Sequence, residues 1–218
     1  MRRIIIICEG PTEQSFCKNV LEPYFFQKGY ILQYPLIKHS HGGIVKWDIL
    51  KKQVHLHLLE KDVFVTTLID YYGIYPKYGF PRWDEAQQIL DKNTRMDFIE
   101  QSLSSDILDE YRHRFIPYMQ LHEFEGLLFC DKDIFNRTFP KTDIIGKDEL
   151  DSVFIEFENP ELINETKETS PSHRLKRIIN GYNKVVYGCI LAEEIGIVKM
   201  RNKCLRFNHW ISLLEHLG

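Results

Sequence analysis

Arg3-Ile4-Ile5-Ile6-Ile7-Cys8-Glu9-Gly10-Pro11-Thr12-Glu13 is a β-branched run that ends in acid, glycine and proline. Such a run suits a strand covered on both faces, Gly10 relieves the turn, and Pro11 supplies the φ that a first helical turn favours. Glu9 is thereby delivered to a strand's carboxyl end. In open α/β sheets ligands collect at that edge, so a carboxylate there invites a functional reading.

Downstream of this break, Phe16, Val20, Leu21 and Tyr24 have amphipathic spacing and predict a helix over Thr12–Gln27, closed by Gly29. Tyr30–Ile37 reads as a second strand, with Pro35 marking an edge position. Ile44–Leu59 reads as a helix starting near Gly42-Gly43, with a stripe at Val45, Ile49, Leu50, Val54 and Leu58. A third strand, Asp62–Ile69, is apolar and stops at Asp70. The β-α-β-α-β order calls for a largely parallel sheet flanked by helices, an α/β fold with Glu9 and Asp70 on one edge.

Tyr71–Pro81, rich in Tyr, Gly and Pro, predicts a surface loop beside that edge. Helices are expected over Asp84–Leu90 and Arg95–Leu108, and a fourth strand over Phe115–Leu121. His122-Glu123-Phe124-Glu125-Gly126-Leu127-Leu128-Phe129 follows as a turn into a short helix. The first domain is expected over residues 1–140. Residues 141–218 are expected to form a polar insertion and a helical C-terminal segment on the same core, with 141–181 as a mobile stretch and helices over Tyr182–Glu194 and Phe207–Leu217.

With 218 residues, 44% hydrophobic and 27% charged, the chain supports one principal core. Its apolar runs are far shorter than the ~20 residues a membrane-spanning helix needs, and no secretory leader is evident. A soluble, cytoplasmic protein is expected. Five scattered cysteines without a Cys-x-x-Cys pair argue for reduced thiols and against structural zinc. The net charge of −3 conceals asymmetry: residues 171–218 carry eight Lys/Arg against three Asp/Glu, and the remainder carries twenty against twenty-eight. Such a basic tail suits a polyanion or a solvated helix face.

Four acids gather at predicted strand ends: Glu9, Asp70, Glu123 and Glu125. Two carboxylates ~4 Å apart repel by about 4 kcal/mol at an effective dielectric of ~20, and a divalent cation turns that penalty into attraction. Mg²⁺ or Mn²⁺ prefers oxygen ligands and commonly needs only one or two protein carboxylates beside phosphate oxygens. Metal-assisted phosphoryl transfer is the matching reaction class. Glu13, one turn into the helix, reads as an acid complementing the helix N-terminus. His39-x-His41 sits in a loop and His55-x-His57 in a helix where i, i+2 side chains diverge, so zinc is disfavoured. The chain has no Gly-x-Gly-x-x-Gly, P-loop or Gly-x-Ser-x-Gly motif.

Glu9-Gly-Pro-Thr-Glu13, Leu68-Ile69-Asp70-Tyr71-Tyr72-Gly73, His122 to Phe129 and Pro171-Ser172-His173-Arg174-Leu175 together resemble the bacterial DUF4276 family, and the first two blocks resemble the Toprim fold. The resemblance implies a Toprim-like α/β domain of the kind used by topoisomerases, primases and phage-defence nucleases, often encoded beside an ATPase. Glu9 and Asp70 match the Toprim acids. The second aspartate of the Asp-x-Asp pattern is absent, because Tyr72 stands in its place, and Glu123 or Glu125 is the expected replacement. The implied activity is a Mg²⁺- or Mn²⁺-dependent nuclease or nuclease subunit. Glu9, Asp70 and Glu123 are its catalytic candidates, Glu125 is a further metal ligand, and Arg174, Lys176, Arg177, Arg201, Lys203 and Arg206 are phosphate contacts to DNA or RNA. Competing expectations are a catalytically degenerate regulatory partner of an ATPase, and a phosphohydrolase acting on small nucleotides.

Overall fold

The computed structural model describes residues 2–40, 43–164 and 166–217. Strand β1 (Arg2–Cys8) lies inside the sheet, and Ile4 through Ile7 are all buried. Burying each such side chain stabilises by roughly 1.5–3 kcal/mol. Helix α1 (Pro11–Phe16) follows at once, then a π-helical stretch (Cys17–Leu21) and α2 (Glu22–Gln27). The helix expected over Thr12–Gln27 is therefore not uniformly α-helical. Pro23 supplies the reason, since it has no N–H for the preceding turn and its ring crowds the carbonyl four residues back, which the wider π geometry accommodates.

Strand β2 (Tyr30–Gln33) pairs with β1 from Arg2↔Tyr30 to Ile5↔Gln33 and stops ahead of Pro35, shorter than expected; one further bridge joins Cys8 to Leu36. Helix α3 (Trp47–Leu58) starts later than the Gly42-Gly43 reading, because Lys46 is still extended at ψ 144°. His41 and Gly42 lie outside the described residues. His55 packs edge-on against Tyr111, whereas His57 faces Glu60, so the two diverge as their spacing requires.

Strand β3 (Val63–Asp70) pairs with β1 in parallel from Arg3↔Val63 to Cys8↔Leu68. Helices α4 (Trp83–Gln87), α5 (Lys92–Ser105) and α6 (Asp109–Arg112) follow, and Asp91 caps α5 by accepting from the Thr94 N–H at 2.8 Å. The expected strand Phe115–Leu121 is two short pieces, β4 (Phe115–Ile116) and β5 (Met119–Gln120), both parallel to β3. Pro117 interrupts them because it cannot donate to the ladder. Thr67 bridges the gap: its hydroxyl donates to the Tyr118 carbonyl at 2.8 Å and accepts from the Tyr118 N–H at 3.0 Å.

The sheet order is β2-β1-β3-β4, with β5 also on β3, and every pairing is parallel. This is an α/β fold with a helical C-terminal part. Alternation along β1 sends Ile5 and Ile7 to a core shared with α3 and α5, and Ile4 and Ile6 to one shared with α1, α2 and the C-terminal helices. Those are α7 (Lys132–Thr138), α8 (Lys147–Glu156), α9 (Pro171–Ile178), α10 (Lys184–Lys203, broken at Gly196 with φ 71°) and α11 (Leu205–Glu215). Residues 141–181, expected as a mobile insertion or lid, contribute Leu150, Val153, Leu175 and Ile178 to that core. Trp210 of α11 stacks on Tyr118 at 4.4 Å and donates to the Thr66 hydroxyl at 2.8 Å, tying the C-terminus to the sheet.

All five cysteines are free; Cys8 and Cys17 approach to 3.6 Å and Cys130 and Cys204 to 3.4 Å. Among the described residues no helix is long and apolar enough to cross a membrane.

Candidate acidic site at the carboxyl edge of the sheet

The β1–β3 register decides where Glu9 goes. Its N–H still donates to the Leu68 carbonyl at 3.1 Å, so the ladder carries it one residue beyond β1. Its Oε2 accepts the Asp70 N–H at 2.9 Å, and Asp70 Oδ1 in turn accepts the Phe124 N–H at 2.8 Å. Acids from two strands and the segment after β5 are thus linked through the main chain.

Gly10 acts through space and not through a left-handed backbone: its φ is −148°, and a Cβ there would sit 3.0 Å from Glu13 Oε2. That clearance lets the Glu13 carboxylate fold back beneath the turn, where only 3% of the residue is exposed. Glu125 is fully buried, and neither of its oxygens receives a well-directed hydrogen bond.

A lysine enters this cluster from the C-terminal part. Asn183 caps α10 by accepting from the Val186 N–H, which sets Lys184 on the first turn. Lys184 Nζ lies 3.1 Å from Glu125 Oε1 and 3.8 Å from Glu13 Oε1. A Cβ at Gly188, one turn on, would crowd the Tyr182 hydroxyl at 3.3 Å and touch Leu128 and Thr12 at 3.7 Å, so glycine there suits the close approach of α10 to α1.

One ammonium therefore serves four carboxylates, and the electrostatics reflect the shortfall. Burial pushes Glu9 up to about 7, with Glu13 and Glu125 adding repulsion and the Asp70 N–H and Lys184 opposing it. Asp70 is driven well above the usual carboxylate range, first by burial and then by Glu9, Glu13 and Glu125, against the pull of Lys184. Burial also raises Glu125, opposed by Lys184. For Lys184 burial works against the charge, yet Asp70, Glu125 and Glu13 outweigh it and hold the ammonium above its ordinary value. The edge is short of positive charge at neutral pH.

Glu123 has a different occupation. Its Oε2 accepts the Ser172 N–H at 2.9 Å and its Oε1 the Ser172 hydroxyl at 3.0 Å, so it caps α9 from across the chain. Of the two expected replacements for the absent aspartate, Glu125 is the one that joins the lysine. Tyr72 donates its N–H to the His122 carbonyl and leaves its ring partly exposed. Among the described residues, no three acids, histidines or cysteines stand arranged as a ready metal-binding group.

Four of the basic residues expected to meet phosphate are paired with acids of this chain. Arg177 pairs with Glu149 and Arg174 lies 3.6 Å from it; Arg201 engages Glu215 and Tyr24; Arg206 engages Asp97 and Glu100. Lys176 and Lys203 are exposed. The sequence reading had no place for Lys184, and it gave Glu13 only a helix-terminal role.

The family model for a domain of unknown function, DUF4276, matches residues 8–215. Comparison with curated proteins gave no match, and comparison with solved structures gave none.

Proposed function

We propose that this chain, which belongs to the DUF4276 family, is a Mg²⁺- or Mn²⁺-dependent phosphoryl-transfer enzyme, a nuclease or nuclease subunit acting on DNA or RNA. The carrying observation is the gathering of Glu9, Glu13, Asp70 and Glu125 around the single ammonium of Lys184 at the carboxyl edge of a parallel sheet. The donors are all oxygens, and among the described residues Glu125 Oε2 has no hydrogen-bond partner while Oε1 meets only the Lys184 ammonium at 3.1 Å, which fits a hard divalent cation. Glu9, Asp70 and Glu125 are the residues that would hold it, with Glu13 in support. A cation bound there lowers the pKa of water and neutralises phosphate oxygens.

The chain's own groups have separate tasks in this reading. Glu9, whose carboxyl burial and the neighbouring acids raise to about 7 before any cation binds, is the group that would accept the proton of attacking water. Lys184 sets its ammonium against a phosphate oxygen, where it opposes developing negative charge. Asp70 is held in place by the Phe124 N–H. The match of Glu9 and Asp70 to the Toprim acids supports the same assignment, and the proposal extends to a cytoplasmic role in phage defence beside an ATPase.

Lys184 also favours a second reading. An ammonium already seated among the acids, with no three-residue metal group assembled among the described residues, suits a degenerate Toprim-like regulatory partner of an ATPase. Cleavage assays on DNA and RNA with added Mg²⁺ or Mn²⁺ separate the two. The enzyme reading expects cation-dependent cleavage abolished by Glu9→Gln and by Asp70→Asn. Cleavage that survives both substitutions overturns it, and absence of cleavage together with co-purification of an ATPase selects the regulatory reading.

A further inference from the structure

Beside the acidic edge, the segment after Asp70 folds over the segment before Glu123 and leaves a cavity of about 400 Å³. Its aromatic side is formed by Tyr71 and Trp83, whose rings lie 5.6 Å apart and tilted by 34°, and by Tyr75, 54% exposed at the rim. Its polar side is formed by Gln87, His122 and Asn164.

These three polar residues are incompletely satisfied. His122 and Asn164 are only 8% and 7% exposed, and Asn164 Nδ2 donates to His122 Nδ1 at 3.0 Å. An accepting Nδ1 leaves the ring proton of the neutral imidazole on Nε2. Burial, aided by Lys92 and Arg95, lowers His122 to about 4 and keeps it neutral. Among the described residues His122 Nε2, Asn164 Oδ1 and Gln87 Nε2 have no partner, although Gln87 Oε1 accepts from the Tyr71 hydroxyl at 3.2 Å. Buried polar atoms normally find partners, so three orphans lining one aromatic cavity are a signal. His122 also holds a left-handed backbone at φ 69°, a conformation non-glycine residues adopt at some cost.

We infer that this cavity binds a nucleobase, stacked against the aromatic side and hydrogen-bonded on one edge by His122 Nε2–H, Gln87 Nε2–H and Asn164 Oδ1. Two donors and one acceptor complement an edge with two acceptors and one donor. Uracil O4, N3–H and O2, and cytosine O2, N3 and N4–H, each present that set on one edge, so the trio recognises a base without naming one. Stacking on aromatic rings is tolerant of base identity. The inference deepens the phosphoryl-transfer reading, on which it rests for the placing of the phosphate: Tyr71 directly follows Asp70, His122 directly precedes Glu123, and the Tyr72 N–H to His122 carbonyl bond ties the cavity to the acids.

Trp83 provides the readout. In EDTA, so that no cation contributes, its fluorescence is followed while AMP, GMP, CMP or UMP is added, with ribose 5-phosphate as the base-free comparison. Short DNA and RNA strands, intact or with one abasic position, complete the series. The expected result is saturable quenching by at least one nucleotide and none by ribose 5-phosphate. Gln87→Ala, Asn164→Ala and Tyr75→Ala are each expected to weaken binding roughly tenfold, and Tyr75 is exposed enough that its loss leaves the fold intact. Mononucleotide binding that a strand does not improve identifies a small nucleotide as the source; binding tighter to the intact strand than to the abasic one identifies nucleic acid. Equal quenching by ribose 5-phosphate, or no binding by any nucleotide or strand, overturns the inference. So does wild-type affinity in all three variants. Glu9→Gln keeps base binding while losing cation-dependent cleavage, so failure of the cleavage chemistry and failure of the pocket give different results.

Discussion

Replacing Glu9 by glutamine tests the electrostatics of the acidic edge without any knowledge of substrate. The folded protein holds the Glu9 carboxyl at about 7, against an ordinary glutamate value of 4.5. Its neutral form is therefore favoured by folding, so the protein binds more protons than the unfolded chain between those two values. Stability then falls as pH rises across that interval. The contribution is whole below about 4.5 and gone above about 7. At ~1.4 kcal/mol per pH unit the interval amounts to at most about 3 kcal/mol, an upper bound because Glu9 is only half-buried and shares its field with Glu13 and Glu125. Glutamine keeps the shape and cannot ionise. Urea unfolding of both proteins from pH 4.5 to 8 is the assay: the wild type should lose more stability than Glu9→Gln as pH rises, by about 1–3 kcal/mol over the whole range. Raised acids that do not feel Glu9, such as Glu100, cancel in the difference, whereas Asp70, raised in part by Glu9, relaxes with it and belongs to the same measured change. Added Mg²⁺ at pH 8 should recover the wild type selectively. Parallel stability curves for the two proteins would refute the claim that Glu9 is strained by its surroundings.

Three further outcomes follow from the same geometry. Lys184→Met removes the ammonium that stands within ion-pair distance of Glu13 and Glu125, and without added cation it should destabilise at pH 8 by about 1–2 kcal/mol, discounted from the larger cost of a fully buried pair because 40% of the side chain is exposed; urea unfolding with and without Mg²⁺ checks this, and the cation should offset most of the loss. Glu123→Ala should cost about 1 kcal/mol through loss of the α9 cap while leaving Mn²⁺ affinity by titration calorimetry unchanged, whereas Glu125→Gln should weaken that affinity at least tenfold. Thr67→Val leaves the Tyr118 N–H and carbonyl without their bridge inside the sheet and should lower stability by about 1–3 kcal/mol in thermal or urea unfolding.

The parts of the fold that local pattern determines were legible. Apolar runs such as Ile4–Ile7 and Val63–Ile69 specify doubly covered strands, and in a parallel pair their ends fall on one edge, so Glu9 and Asp70 meet through a register the sequence implies. Pro35 likewise announced an edge strand. What escaped depends on partners distant in sequence. Lys184 opens a helix that looks ordinary by itself and becomes a site residue only when α10 packs against α1. Glu13 has the local look of a helix-start acid, and only the clearance at Gly10 and the arrival of Lys184 reassign it. Glu123 and Glu125 are indistinguishable by spacing; Ser172, some fifty residues later, occupies the Glu123 carboxylate with two hydrogen bonds while Glu125 meets Lys184. The ion pairs of the basic tail were hidden for the same reason, since the acids that engage Arg174, Arg177 and Arg206 come from α8 and α5 and are invisible to a count along the tail. The wide turn at Cys17–Leu21 and the split at Pro117 had a local signal in their prolines, which periodicity alone overrides.

Anomalous diffraction from crystals soaked in Mn²⁺ tests the cation site directly. The account predicts a peak at the strand edge with carboxylate oxygens of Glu9 and Asp70 at roughly 2.0–2.3 Å and Glu125 or Glu13 completing the shell, the Lys184 ammonium having moved toward the open side. Density that leaves Lys184 seated between Glu13 and Glu125, with no manganese peak at the edge at saturating concentration, would contradict it.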